Sequence, residues 1–146
     1  MTYYKNSEGR YGASGAKGDA GEKLVEEYCK RNALDWEDKN DYKSQVIDKI
    51  DCIVEGTKVD VKTNMFKDYM CVELWNKRKD QEGWLYTTKA EEIYAVALDK
   101  KKIFSYNIED MKNYVNYARD KRAKETKHGD LVIWVHSNMD FVRELQ

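Results

Sequence analysis

The sequence predicts an α/β fold, a single domain over residues 1–146 with a central mixed β-sheet flanked by helices. Three observations predict it. Two stretches, from about Gly18 to Leu34 and from Ile108 to about Lys124, repeat apolar residues at helical spacing. Between and beyond them lie short runs rich in β-branched and aromatic residues, at 50–64, 69–75, 93–106 and 131–135, which read as strands. A chain of 146 residues can also bury one sizeable core but not two.

Composition narrows the class. Charged residues make up 36% of the chain, yet 12% aromatic content with Tyr 11 and Trp 4 speaks against disorder. The formal net charge of −1 announces no global basic field, so nucleic-acid contact would have to come from local patches or bound metal. Cys29, Cys52 and Cys71 are odd in number and widely spaced, which excludes a CxxC zinc site and suits a reducing compartment. We read them as small buried apolar residues. With no signal peptide and no apolar run of membrane length, a soluble, cytoplasmic protein is expected.

Taken in order, residues 1–17 carry glycines at 9, 12 and 15 and are expected to form a flexible glycine-rich arm. Such an arm either is simply mobile or brings backbone close to a phosphodiester, with Arg10 and Lys17 nearby. In the first helix Ala20, Leu24, Val25, Tyr28, Cys29 and Ala33 share a face, and Asp19, Glu22, Glu26 and Glu27 crowd its first half. Carboxylates there favour a helix N-terminus electrostatically. Residues 36–44 read as a polar connector, and Gln45 to Asp48 begins the first strand or leads into it.

The stretch from Ile50 to Asn64 reads as a hairpin. With Gly56-Thr57 as a two-residue turn, Val54 faces Val59, Ile53 faces Asp60, Cys52 faces Val61 and Asp51 faces Lys62. One face then holds Cys52, Val54, Val59 and Val61, and the other Asp51, Ile53, Asp60 and Lys62. Two carboxylates and an ammonium converge. A hard cation between the carboxylates would remove their repulsion, although a plain cross-strand ion pair accounts for the same residues.

Next, Tyr69 to Trp75 alternates as a third strand, with Glu73 near the site or merely exposed. Lys77, Arg78 and Lys79 form a basic loop, and residues 93–106 a second hairpin turning at Lys100–Lys102. The second helix places Met111, Tyr114, Val115 and Ala118 on one face and ends in a basic stretch through Lys127. Leu131 to Val135 is apolar throughout and should sit centrally, followed by a tail with Phe141 and Leu145. His128 and His136 lack a paired-ligand spacing.

Asp51 followed by Asp60-Val61-Lys62 resembles the PD-(D/E)XK nuclease superfamily, which includes restriction endonucleases, archaeal Holliday-junction resolvases and phage-encoded endonucleases. Ile50 stands where a proline often precedes the first Asp, and Asp60 where Glu is commoner. Gly21 to Val25 resembles the helix whose glutamate completes that superfamily's metal site, which points to Glu22, with Glu26 one turn on left open. Gly83-Trp84-Leu85-Tyr86-Thr87-Thr88-Lys89-Ala90 resembles a segment of phage-type members that caps a short helix before the next core strand.

The resemblance covers Gly21 to about Leu98. It implies a restriction-endonuclease-like αβββαβ core with Asp51, Asp60, Lys62 and Glu22 as catalytic residues. Asp51, Asp60, Glu22 and the Val61 carbonyl would hold Mg²⁺, with Mn²⁺ able to substitute. Lys17, Thr63, Asn64 and Lys89 would contact nucleic acid. The expected function is metal-dependent phosphodiester hydrolysis, as a DNA endonuclease of phage or mobile-element type with RNA left open. The alternatives are a branched-DNA resolvase acting as a homodimer, or a non-catalytic nucleic-acid-binding module on the same fold.

Overall fold

The computed structural model describes residues 12–146, and for residues 12–15 the backbone alone. In chain order the elements are α1 (Gly12–Arg31), β1 (Trp36–Asp38), a π-helical turn (Lys43–Asp48), β2 (Cys52–Val54), β3 (Thr57–Lys62), β4 (Met65–Phe66) and β5 (Tyr69–Asn76). There follow β6 (Gln81–Glu82), α2 (Trp84–Thr87), β7 (Glu92–Ala97), β8 (Lys102–Asn107), α3 (Ile108–Arg122), β9 (Lys124–Glu125), β10 (Leu131–His136) and β11 (Val142–Leu145).

Six strands form the main sheet in the order β1-β2-β3-β7-β8-β11. It is mixed, because β3 and β7 run parallel while their neighbours pair antiparallel. Helix α1 covers one face, where Val25 and Cys29 pack with Cys52, Val54, Val59, Tyr94, Val96 and Ile103. A second sheet, β4-β5-β10-β9 with β6 beside β5, covers the other face together with α2 and α3. Strand β7 is buried on both sides, Ile93 and Ala95 facing the second sheet and Tyr94 and Val96 facing α1. That double burial is why its sequence is a continuous apolar run. Each fully buried Val or Ile contributes about 1.5–3 kcal/mol of transfer free energy. No described helix is long and apolar enough to cross a membrane.

Helix α1 begins earlier than its apolar period suggests. Residues 12–17 of the expected arm are helical, while 1–11, with Arg10, lie outside the described residues. Ala13, Ala16 and Ala20 interleave the glycines and favour the helix, and docking on the sheet supplies the rest. Glu22 consequently sits mid-helix, where the helix N-terminus does not explain it. Helix α3 follows the simpler rules: Asn107 caps it by accepting from Asp110 N–H at 3.0 Å, acids fill its first turn and bases its last.

Two strand assignments change. Tyr69 to Trp75 does not join β3, because β7 occupies that edge in parallel; β5 instead turns back at Lys67-Asp68, both at positive φ, and pairs with β10. Strand β10 is therefore central in the second sheet rather than the first, and the tail expected after it supplies β11 at the main sheet's edge. Cys29 and Cys52 are buried as expected, but Cys71 is half-buried on the second sheet's outer face.

Gly83 leads into α2 where a Cβ would overlap the Glu73 carbonyl, which is backbone and cannot swing aside. Gly83→Ala is expected to cost about 3 kcal/mol, the upper range for overpacking, read as a lower urea midpoint at unchanged slope. An unchanged midpoint would show that β5 and α2 are not held at this distance.

Candidate active site

The β2–β3 hairpin turns at Glu55-Gly56, both at positive φ (49° and 80°), as a type I′ turn requires. Val54 therefore pairs with Thr57, Ile53 with Lys58 and Cys52 with Val59, two residues away from the expected register. A shift of two keeps every side chain on its face. Asp60 and Lys62 still point away from Cys52, Val54 and Val59, and Asp51 reaches them from the foot of β2. Its backbone N–H donates to the Val59 carbonyl and its Oδ2 accepts from the Val61 N–H, both at 2.8 Å.

These groups open into a cavity of about 480 Å³ whose wall includes Glu22, Asp51, Asp60, Val61 and Lys62. Lys49, Glu73, Asn76, Lys79 and Trp84 complete its charged and aromatic lining. Gly21 lets α1 come close enough to deliver Glu22, since a Cβ there would overlap the Thr63 methyl. Glu26 instead pairs with Lys30 at 3.7 Å and lies outside the cavity wall, so of the two glutamates α1 presents Glu22. Lys62 Nζ stands 3.3 Å from Asp60 Oδ2 and 4.9 Å from the centre of the Trp84 ring, which thus backs the ammonium through a cation–π contact.

The electrostatics follow from burial. Asp51 is held well above the usual carboxylate range by desolvation, by Asp60 against it and by Glu22. Glu22 is pushed up to about 8, chiefly by burial and then by Asp38, Asp19 and Asp60. Burial pulls the Lys62 ammonium down, but Asp60 and Asp51 outweigh it and hold the group above its ordinary value. Lys49 goes the other way, lowered by burial and by Lys79 and Lys62. Glu22 Oε1 and Asp60 Oδ2 are buried and accept no hydrogen bond; the Lys62 ammonium is near Asp60 but not aligned to it. Like charges forced together with unsatisfied oxygens are costly unless a cation joins them.

No three His, Cys, Asp or Glu side chains among the described residues already stand as a closed metal cage. Asp51 is turned instead onto the Val61 N–H and Asp60. The donor set is nonetheless the hard-oxygen kind that Mg²⁺ and Mn²⁺ prefer, and two of its oxygens accept no hydrogen bond.

Of the residues expected to meet nucleic acid, none lines the cavity. Thr63 packs on Gly21, and Asn64 donates to the Cys71 carbonyl at 3.1 Å. Lys89 shares Asp48 with Lys43, at 3.5 and 2.8 Å, and Lys17 is exposed on α1. The sequence reading missed Gln45, Val46, Lys49 and Asn76 in the wall. Lys49 lies only two residues before Asp51, but its left-handed backbone (φ 58°) closing the π-helical turn has no sequence signature.

No protein-family model matches the chain, and no curated protein does. Among solved structures it is similar to a bacterial homing endonuclease, I-Ssp6803I, at 12% identity and a TM-score of 0.49, covering 94% of this chain and 80% of that one.

Proposed function

We propose that this chain is a metal-dependent nuclease hydrolysing phosphodiester bonds, with DNA as substrate. The observation that carries the reading is the convergence of Glu22, Asp51 and Asp60 on one cavity with Lys62, two carboxylate oxygens being buried without a hydrogen bond. A protein core gains nothing from such a cluster. It becomes intelligible as a cation site facing a polyanionic substrate.

In that reading Asp51, Asp60, Glu22 and the Val61 carbonyl would hold Mg²⁺ or Mn²⁺. The bound ion supplies an activated water and neutralises charge on the phosphate. Lys62, fixed by Asp60 and backed by Trp84, orients the attacking water and donates to the phosphoryl oxygen as charge develops there. Its ammonium, held charged by the two aspartates, suits it to stabilising charge and makes it a poor base until a cation offsets them. Lys49 and Lys79 in the wall add positive charge facing the substrate. The phage or mobile-element character rests on the resemblance of residues 83–90 alone.

The test is cleavage of supercoiled plasmid, linear duplex, single strand and a four-way junction with Mg²⁺, Mn²⁺ or EDTA, for wild type and Asp60→Asn. Metal-dependent cutting, abolished by EDTA and by Asp60→Asn, is expected. Preference for the junction would select the resolvase. No cutting of any substrate by a folded wild type that binds no metal would leave a binding module.

A further inference from the structure

The outer face of the second sheet is unusually aromatic. Of the seven large hydrophobic residues exposed among those described, Phe66, Tyr69, Trp75 and Trp134 stand on it. The alternation of β5 explains the placement: Met70, Val72 and Leu74 enter the core, so Tyr69, Cys71 and Glu73 face out, and Trp75 is exposed just past an irregularity in the pairing with β10. On β10, Ile133 and Val135 likewise turn inward and Trp134, opposite Cys71, outward. Core packing does not require two indoles at 38% and 40% exposure on a strand pair that already has an apolar inner face.

This face runs directly into the catalytic cavity, because Glu73 belongs to both. Trp75 is two residues along β5 from Glu73, about 7 Å away. Trp134 sits diagonally across the strand pair from it, about 7–8 Å. The turn after Trp75 carries Lys77, Arg78 and Lys79, none with a carboxylate at ion-pair distance among the described residues. Lys79 lines the catalytic cavity, while Lys77 and Arg78 line a second one that shares Asn76 with it and adds His128. The turn is braced: Lys77 N–H donates to Asp130 at 2.9 Å, and the Lys77 side chain lies on Gly129. Exposed aromatic rings and an adjoining cationic edge without an ion-pair partner among the described residues, both leading to the site, fit bases on one side and phosphates on the other.

We propose that the outer face of β5 and β10 binds single-stranded nucleic acid, unpaired bases stacking on Trp75 and Trp134 and phosphates following Lys77–Lys79 into the catalytic cavity. Only unpaired bases expose the faces that stacking needs, so the substrate class is single strands or single-stranded segments of larger structures. The direction in which the strand is fed rests on the nuclease reading; the binding itself does not.

The experiment is fluorescence anisotropy of a labelled oligothymidylate and of a duplex of equal length, in EDTA so that no cutting occurs. Wild type is expected to prefer the single strand, and Trp75→Ala and Trp134→Ala each to weaken that binding about tenfold or more, with Trp→Phe retaining most of it. Quenching of tryptophan emission in wild type by the same oligonucleotide reads the contact without any substitution. Equal affinity in folded alanine variants, absence of quenching, preference for duplex, or self-association through this face without oligonucleotide binding would each overturn the proposal. Tryptophan-dependent binding by a chain that never cuts would keep it and remove the nuclease reading. Metal-dependent cutting with binding indifferent to both tryptophans would do the reverse.

Discussion

Lys62→Ala is expected to lower metal-dependent cutting by at least about 10³-fold while metal binding stays near wild type. Among the described residues Lys62 is the one cationic group in direct ion contact with the acidic cluster, 3.3 Å from Asp60, and the Trp84 ring fixes its approach. Alanine removes charge stabilisation at the phosphate but none of the oxygen ligands, so single-turnover rate and metal affinity should separate. Lys62→Arg should not rescue the rate, because a planar guanidinium cannot occupy the point-charge position between Asp60 and the indole. Wild-type cutting by Lys62→Ala would remove this residue from the chemistry, and loss of metal binding would make it a structural partner of Asp60.

The second large effect is proton-linked. Glu22, at about 8, and Asp51, raised in the same direction, are carboxylates whose folded values exceed the roughly 4 of the unfolded chain. Their neutral forms are the ones the metal-free fold prefers. That contribution is complete below about pH 4 and is lost as pH rises through about 8. A divalent cation needs the ionised forms, so its stabilisation should run oppositely, small near pH 5.5 and large near pH 8.5. At about 100 times its dissociation constant it adds roughly 2.7 kcal/mol, or a Tm rise of about 5–10 °C in a chain this size. Asp51→Asn keeps an oxygen for the Val61 N–H but lifts the repulsion. It should raise the metal-free Tm by a few degrees at alkaline pH, about 1 kcal/mol, and shrink the metal's effect. Thermal scans with Mn²⁺ or EDTA at both pH values decide it, and equal metal stabilisation at the two would refute the linkage.

What was legible in the sequence was local. The β7–β8 hairpin, α3 and the two faces of the β2–β3 hairpin are all visible in residue spacing, the last surviving a misplaced turn because strand alternation has period two. The turn was misread because Gly56 takes the second positive-φ position and Glu55, a residue with no such preference, the first. Partner choice between distant strands left no local trace: nothing in Tyr69–Trp75 says that it pairs with β10 rather than β3. That Asp51, Asp60, Lys62 and Glu22 would share one cavity wall was legible in strand spacing and motif order. Lys49 enters the cavity wall through turn geometry and Asn76 through the long-range placement of the end of β5, neither of which spacing encodes.

Helix α1 covers a whole face of the main sheet and carries Glu22 into the cavity from that same position, with Gly21 seated on Thr63. Docking and completion of the carboxylate set are therefore one event. Any partial opening that lifts this helix would withdraw Glu22 while the hairpin bearing Asp51, Asp60 and Lys62 stays formed, so in the proposed nuclease cutting would double as a gauge of local opening well short of global unfolding.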